Sequence, residues 1–364
     1  MKDSRQLKRT ISASNTGLER KKRTRSGKEL LAKLNVDLLK DKKKSEKETK
    51  NYNKVRFQKI TEASDGQRLD NFLFGFLKGV PKSHIYRVIR NGEVRINKSR
   101  AKAETKLILD DVVRIPPITC SESKPVETPA FVDSPVILYE DEHLLVVDKP
   151  EGLASHGGSG ISYGLIERMR ATRPEATFLE LAHRLDRDTS GVIVMAKTRK
   201  CLVRLHGMMK NGEVHKTYRT LVKGDWVNDR QHIKEPLYKY LTTQGERRVR
   251  VDYDKGLPSH SIFNLIERFG SVSYLEVVLK TGRTHQIRVH ACSQGHPLVG
   301  DDKYGDFDFN HDVEKGILGI PFKRMYLHAW KLEFKHPISG DSLCIECPET
   351  QECRNLINVL RQGL

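Results

Sequence analysis

The chain is poor in the residues that mark several large classes of protein. Its 364 residues include only six Cys and two Trp. The cysteines stand at 120, 201, 292, 344, 347 and 353, too sparse for a disulfide framework, and read as reduced thiols of an intracellular protein. No apolar run approaches the ~18 residues of a membrane-spanning helix. The opening Met1-Lys2-Asp3-Ser4-Arg5 has no apolar stretch behind it, so a secretory leader is not expected. Several catalytic motifs are missing too. There is no HExxH. Gly157-Gly158-Ser159-Gly160 is not followed by the Gly-Lys-Ser/Thr of a P-loop, and Asp188-Thr189-Ser190-Gly191 lacks the Gly-x-Ser-x-Gly elbow of a hydrolase. Cys344 and Cys347 fall on opposite faces of an expected strand, and no second Cys-x-x-Cys exists, so no metal site is expected.

Acidic charge is also in short supply. Lys and Arg number 65 against 47 Asp and Glu, a formal charge of +18, and residues 1–50 alone carry +10. A basic arm on a mildly basic body points to a polyanionic partner. Nucleic acid fits better than a membrane surface, because the arm lacks aromatic anchors. The plain alternative is a solvated tail. Leu30, Leu31, Leu34, Leu38 and Leu39 space a short amphipathic helix with no visible partner face, so residues 1–55 are expected to form a disordered basic extension.

From 60 to 116 a small module is expected. Leu69, Phe72, Leu73, Phe76 and Leu77 repeat on one helical face. Pro81 starts a second helix and Asn91-Gly92 ends it; Ile85, Val88 and Ile89 face one way, Arg87 and Arg90 another. Residues 94–97 and 112–115 read as strands. The wording GQRLDNFL…KSHIYRVIRNGEVRIN resembles the S4 RNA-binding domain, which presents basic side chains to structured RNA. That resemblance implies Lys82, Arg87, Arg90 and Arg95 as phosphate contacts. Residues 117–134, punctuated by Pro117, Pro125 and Pro129, read as a linker.

The stretch 135–364 mixes strands with helices but lacks regular βαβ alternation, which argues for an α+β fold with a mixed sheet. Strands are expected over 136–140, 143–148, 191–197, 217–223, 274–280 and 326–335, and helices near 161–171, 199–210, 284–294 and 350–361. In His183-Arg184-Leu185-Asp186-Arg187-Asp188-Thr189-Ser190-Gly191, a doubly cationic loop runs into an apolar strand, a rigid place for function. Arg184 and Arg187 flank Asp186 and would favour its ionised form if their side chains approach it. Such a carboxylate can be a nucleophile, a base or merely an ion-pair tie. In the stretch 280–290, Thr284 is placed to cap a helix. His285 and His290 read as hydrogen-bonded structural histidines, and Arg288 as a functional cation.

At this point HRLDRDTSGVIVMAKT, KTYRTLVKG, TGRTHQIRVH with GHPLVGDDKYG, and VVDKPEGLASHGG resemble, in order, the motifs of the RluA-type pseudouridine synthases. The likeness runs over roughly residues 58–364, while the first fifty depart from it. It implies a cofactor-independent isomerisation of uridine in RNA to pseudouridine. The N-glycosidic bond breaks, the base turns, and it rejoins through carbon. Asp186 matches the catalytic aspartate, Arg288 the cation paired with it and Tyr218 the tyrosine on the flipped base. Arg184 matches the arginine that enters the vacated position, and Ile287 would line the base pocket. The likeness is strongest to the branch acting on large-subunit (23S) ribosomal RNA, which implies that RNA, free or in an assembling subunit, as partner of a cytoplasmic monomer. Two alternatives stay open: a synthase for other rRNA or tRNA uridines, and a non-catalytic S4-type RNA-binding or ribosome assembly protein.

Overall fold

A computed structural model describes residues 54–77, 80–118, 135–157 and 163–363. The basic arm up to residue 53 and the linker over 119–134 lie outside the described residues. The rest divides into two units.

One unit holds residues 54–59, 68–77, 80–105 and 111–118. Helix α1 (Leu69–Phe76) buries Leu69, Phe72 and Leu73, and α2 (Lys82–Arg90) buries Ile85, Val88 and Ile89, as their spacing predicts. Four short strands, β1 (Arg56–Lys59), β2 (Arg95–Ile96), β3 (Ser99–Arg100) and β4 (Val112–Ile115), form an antiparallel sheet in the order β1-β4-β2-β3. The strand expected over 94–97 is shorter than its apolar pattern suggested. Asn97 and Lys98 take positive φ values of 48° and 72° and turn the chain straight into β3. Asn tolerates that conformation because its amide bonds locally, here donating to Asp111 and accepting from the Val112 amide.

The other unit contains 60–67, 106–110 and the described residues from 135 onward. Its strands are β5 (Ile137–Glu140), β6 (Leu144–Lys149), β7 (Glu180–Leu181), β8 (Ser190–Ala196), β9 (His215–Lys223), β10 (Arg230–Ile233), β11 (Leu237–Leu241), β12 (Arg247–Val251), β13 (Ser261–Arg268), β14 (Val272–Leu279), β15 (Leu327–Lys335) and β16 (Ser342–Glu346). Helices α3 (Leu165–Ala171), α4 (Arg199–Asn211), α5 (Gln286–Ser293), α6 (Phe307–Lys315) and α7 (Gln351–Gln362) intersperse them. Ten strands share one sheet with the spine β10-β13-β14-β9-β15-β8-β6-β5; β16 adds to β15 and β7 to β8. All its ladders are antiparallel except β15 with β8, so the sheet is mixed, as expected. Strands β11 and β12 form a separate hairpin. Every residue of β8 is buried, the reason its sequence is continuously apolar rather than alternating. Among the described residues no helix is long and apolar enough to cross a membrane.

Gly191 makes the parallel junction possible. It has φ +109°, and a Cβ there would stand 2.3 Å from the Ala329 carbonyl oxygen of β15. Only glycine allows both that angle and that approach.

Candidate active site

The loop between β7 and β8 carries Asp186, and buried side chains pin it on both sides. Ser155 Oγ donates to the Leu185 carbonyl at 2.6 Å and accepts from the Leu185 amide at 3.1 Å. The Lys149 ammonium, fully buried, donates to the carbonyls of Pro150, Leu153 and Arg187 at 2.8, 2.8 and 3.0 Å. Burial pushes the Lys149 pKa down to about 7, against the pull of Asp188 and Asp186. Beyond the loop, the Ser190 hydroxyl lies 2.8 Å from His328 Nδ1 and accepts from Arg324 at 2.7 Å. The backbone on either side of Asp186 is therefore anchored to the sheet and to the turn after β6.

Asp186 faces a cleft of about 390 Å³ with Arg184, Lys216, Tyr218, His285, Ile287 and Arg288. Its flanking arginines are not its partners, contrary to the expectation from their adjacency. Within 4 Å of Asp186 Oδ2 lie the Arg288 guanidinium, with Nη1 at 4.0 Å, and the His285 imidazole, with Nε2 at 3.8 Å. Arg187 turns instead to Asp188, 2.9 Å away. Alternate residues of a tight loop point in different directions, so sequence neighbours need not meet. Arg184 is exposed at the mouth of the cleft.

Tyr218 reaches the cleft from β9 and is 7% exposed. Burial first, and the Asp186 charge second, push its phenol pKa above the ordinary value. At neutral pH it is a hydroxyl donor and a flat apolar face, not a ready base.

Arg288 and Ile287 come from α5. Arg288 is 2% exposed and donates through Nε and Nη2 to the two oxygens of fully buried Asp301 at 2.7 and 2.5 Å, and through Nη2 to Asp302 at 3.0 Å. Asp301 also accepts the amides of Lys303 and Tyr304. Burial alone would raise its pKa, but the Arg288 hydrogen bonds and charge outweigh this and hold it below the usual carboxylate range. Likewise burial opposes the charged guanidinium, yet Asp301 and Asp186 keep the Arg288 pKa above normal. The fork fixes the guanidinium plane and leaves Nη1 toward Asp186. Sequence reasoning singled out Arg288 but not Asp301, although an acidic residue was needed to satisfy a buried arginine.

His285 is hydrogen-bonded, as expected, and it also lines the cleft. It sits at the N-cap of α5 with φ +54° and makes no side-chain cap. Its Nδ1 lies 2.7 Å from the Tyr304 hydroxyl, which also accepts the Val249 amide of β12. Burial lowers the His285 pKa despite Asp186, so the ring is neutral at pH 7. Thr284 does not cap the helix either. The Gln286 side chain accepts from the Arg283 amide and the Thr281 hydroxyl and organises that turn instead. His290 is the buried structural histidine that was expected, bonded to Ser259 and Ser261.

Lys82, Arg87, Arg90 and Arg95 are all exposed in the smaller unit. Lys82 lies over the Phe74 ring at 5.0 Å, Arg87 touches His84, and Arg95 donates to the carbonyls of Gly92 and Lys98. The first three share α2, and Arg95 lies on β2.

A mixed sheet whose central loop presents one carboxylate to a cation-lined cleft matches known proteins. Residues 143–293 match the RNA pseudouridylate synthase family, and residues 67–113 match the S4 domain. The human protein RNA Pseudouridylate Synthase Domain Containing 4 has a similar fold, with a TM-score of 0.51 at 23% identity over 62% of this chain and 93% of its own. The chain belongs to the RNA pseudouridine synthases and isomerises uridine in RNA. Within that family it is 47% identical over 313 residues to Ribosomal large subunit pseudouridine synthase C of Yersinia pestis, covering 84% of this chain and 96% of the relative. It is 46% identical over 314 residues to the protein of the same name from Escherichia coli strain K12, covering 85% and 98%.

Proposed function

We propose that the chain acts as a cytoplasmic monomer on uridines of large-subunit ribosomal RNA, with Asp186 as its catalytic carboxylate. The observation that carries the site assignment is the lone carboxylate of the cleft, Asp186, set against Tyr218 and Arg288 among side chains that are otherwise cationic, neutral or apolar. A carboxylate in an RNA-binding cleft repels phosphate; a pure binder has no use for one. The near full-length likeness to ribosomal large-subunit enzymes supports the choice of RNA.

The cleft takes one nucleotide, not a paired duplex, so the target uridine leaves its stack at a cost of a few kcal/mol. Arg184, exposed at the mouth, is the residue to occupy the vacated position. The flipped pyrimidine packs on Tyr218 with Ile287 behind it. Asp186, turned by Arg288, acts on the reacting nucleotide while the C1′–N1 bond breaks. The ring turns, the C1′–C5 bond forms, and the C5 proton departs as N1 gains one, so the reaction is a balanced isomerisation. Lys82, Arg87, Arg90 and Arg95 contact RNA phosphates, which positions the RNA without reading its sequence.

The test is Asp186→Asn, assayed by carbodiimide-stopped reverse transcription on large-subunit rRNA and on tRNA. Wild type is expected to modify the rRNA. The variant is expected to lose product below detection, with its thermal midpoint and RNA affinity kept or affinity slightly tighter. Near-normal product from the variant overturns the site; wild-type product on tRNA alone overturns the substrate.

A further inference from the structure

Lys216 is a cation of the cleft that the protein leaves unanswered. On β9 it stands two residues before Tyr218, and strand alternation sends both side chains to one face. Its cross-strand neighbours are Leu279 on β14 and Leu332 on β15. It is half-buried and lines the same cleft as Asp186. Among the described residues its ammonium has neither an ion pair nor a hydrogen bond, whereas the Arg288 guanidinium in the same cleft is held by three carboxylates. Burial lowers its pKa, and no acid compensates. A partly desolvated, unpaired ammonium costs free energy and persists where a ligand completes it.

Gly282 supplies a second, independent sign. Its backbone angle does not require glycine, and a Cβ there would meet only Lys216 Nζ, at 3.8 Å. Neither conformation nor packing of the protein explains the missing side chain. The bare backbone leaves open the space directly over the ammonium.

We propose that Lys216, under the opening left by Gly282, is the seat of a phosphodiester flanking the target uridine. Lysine suits this role as a compact point charge that donates to phosphate oxygens. The seat would hold the sugar-phosphate of the flipped nucleotide beside Tyr218, so binding energy away from the reacting bond is used to orient it. This rests on the reading of the cleft as the uridine site.

The experiment uses the full chain and a short RNA bearing one mapped target uridine. The RNA is made with all phosphates charged, or with an uncharged methylphosphonate on the 5′ or the 3′ side of that uridine. Single-turnover rates and dissociation constants are measured for wild type, Lys216→Gln, Lys216→Arg and Gly282→Ala. Lys216→Gln is expected to lose about tenfold or more in rate or affinity on the charged RNA, the size of one hydrogen bond to a charged group. One of the two methylphosphonates should cost wild type a similar factor, and the two losses should not multiply. Lys216→Arg should recover most of the loss, and Gly282→Ala should mimic Lys216→Gln. The thermal midpoint of Lys216→Gln should be unchanged or higher, since an unpaired cation is removed. Losses that multiply, no loss at all, or a destabilised Lys216→Gln overturn the phosphate seat while wild type remains active. Wild type inert on the unmodified RNA overturns the uridine-site reading, and this proposal with it.

Discussion

Asp301→Asn tests whether the guanidinium beside the reacting carboxylate is built from behind. In the wild type two hydrogen bonds of 2.7 and 2.5 Å join Arg288 to an Asp301 with no exposed surface. An asparagine at 301 keeps one carbonyl oxygen for the amides of Lys303 and Tyr304, but turns an NH₂ group or a neutral oxygen toward the guanidinium. Arg288 would keep only Asp302, which is 55% exposed, and Asp186 at 4.0 Å. Removing one member of a buried pair typically costs about 3–5 kcal/mol, because the other charge stays buried. At roughly 2–4 °C per kcal/mol for a unit of this size, the thermal midpoint should fall by about 6–20 °C. Replacing both members, as Arg288→Met with Asp301→Leu, should recover much of that stability, yet remain inactive because nothing then turns Asp186. The wild-type pair also predicts a pH dependence. The folded Asp301 pKa lies below its unfolded value, so its contribution is complete above about pH 4 and is lost as pH falls through the folded value. Thermal melts between pH 3 and 7 should therefore show a shallower acid limb in Asp301→Asn. A midpoint within about 2 °C of wild type, or a double variant no more stable than the single one, would refute the reasoning.

Three further outcomes are expected. Gly191→Ala should abolish folding of the larger unit, because a Cβ cannot lie 2.3 Å from the Ala329 oxygen; a soluble variant with a normal melt would contradict this. Ser155→Ala frees the backbone at Leu185 and should lower kcat several-fold with KM little changed, and equal losses in both would place Ser155 in RNA binding instead. Arg184→Ala should slow modification of a paired target more than of the same target opposite a mismatch, because an unpaired base leaves the stack more cheaply. Single-turnover rates on the two RNAs decide, and equal losses would assign Arg184 another task.

Much of the fold was legible from periodicity. The two helices of the small unit, the apolar run of β8, and helices α4 and α7 lie where their patterns placed them. Strands β10 and β13 were not read, because Arg230–Ile233 and Ser261–Arg268 carry polar residues at positions the neighbouring strands cover only in three dimensions. Helix α6 was missed despite its Asp306 cap and Gly316 stop, since its body is mostly polar. The grouping of Asp186, Tyr218 and Arg288 came from motif resemblance, because no local spacing reports contacts across a hundred residues. Asp301 and the left-handed turn at His285 escaped for a related reason. A buried fork and a positive φ are properties of the assembled sheet, and the residues themselves look ordinary.

The one parallel ladder of the main sheet joins residues 190–191 to 328–329. During synthesis the loop bearing Asp186 emerges long before the strand that receives its exit, and Arg288 also precedes that strand. A chain that stops before β15 (Leu327–Lys335) therefore holds its reacting groups without the strand that pairs with residues 190–191. Closure across so long a sequence separation is entropically costly and slow. A chain lacking β15 therefore lacks the strand that receives Ser190 and Gly191, and is expected to be inactive even though Asp186, Tyr218 and Arg288 are all present in it.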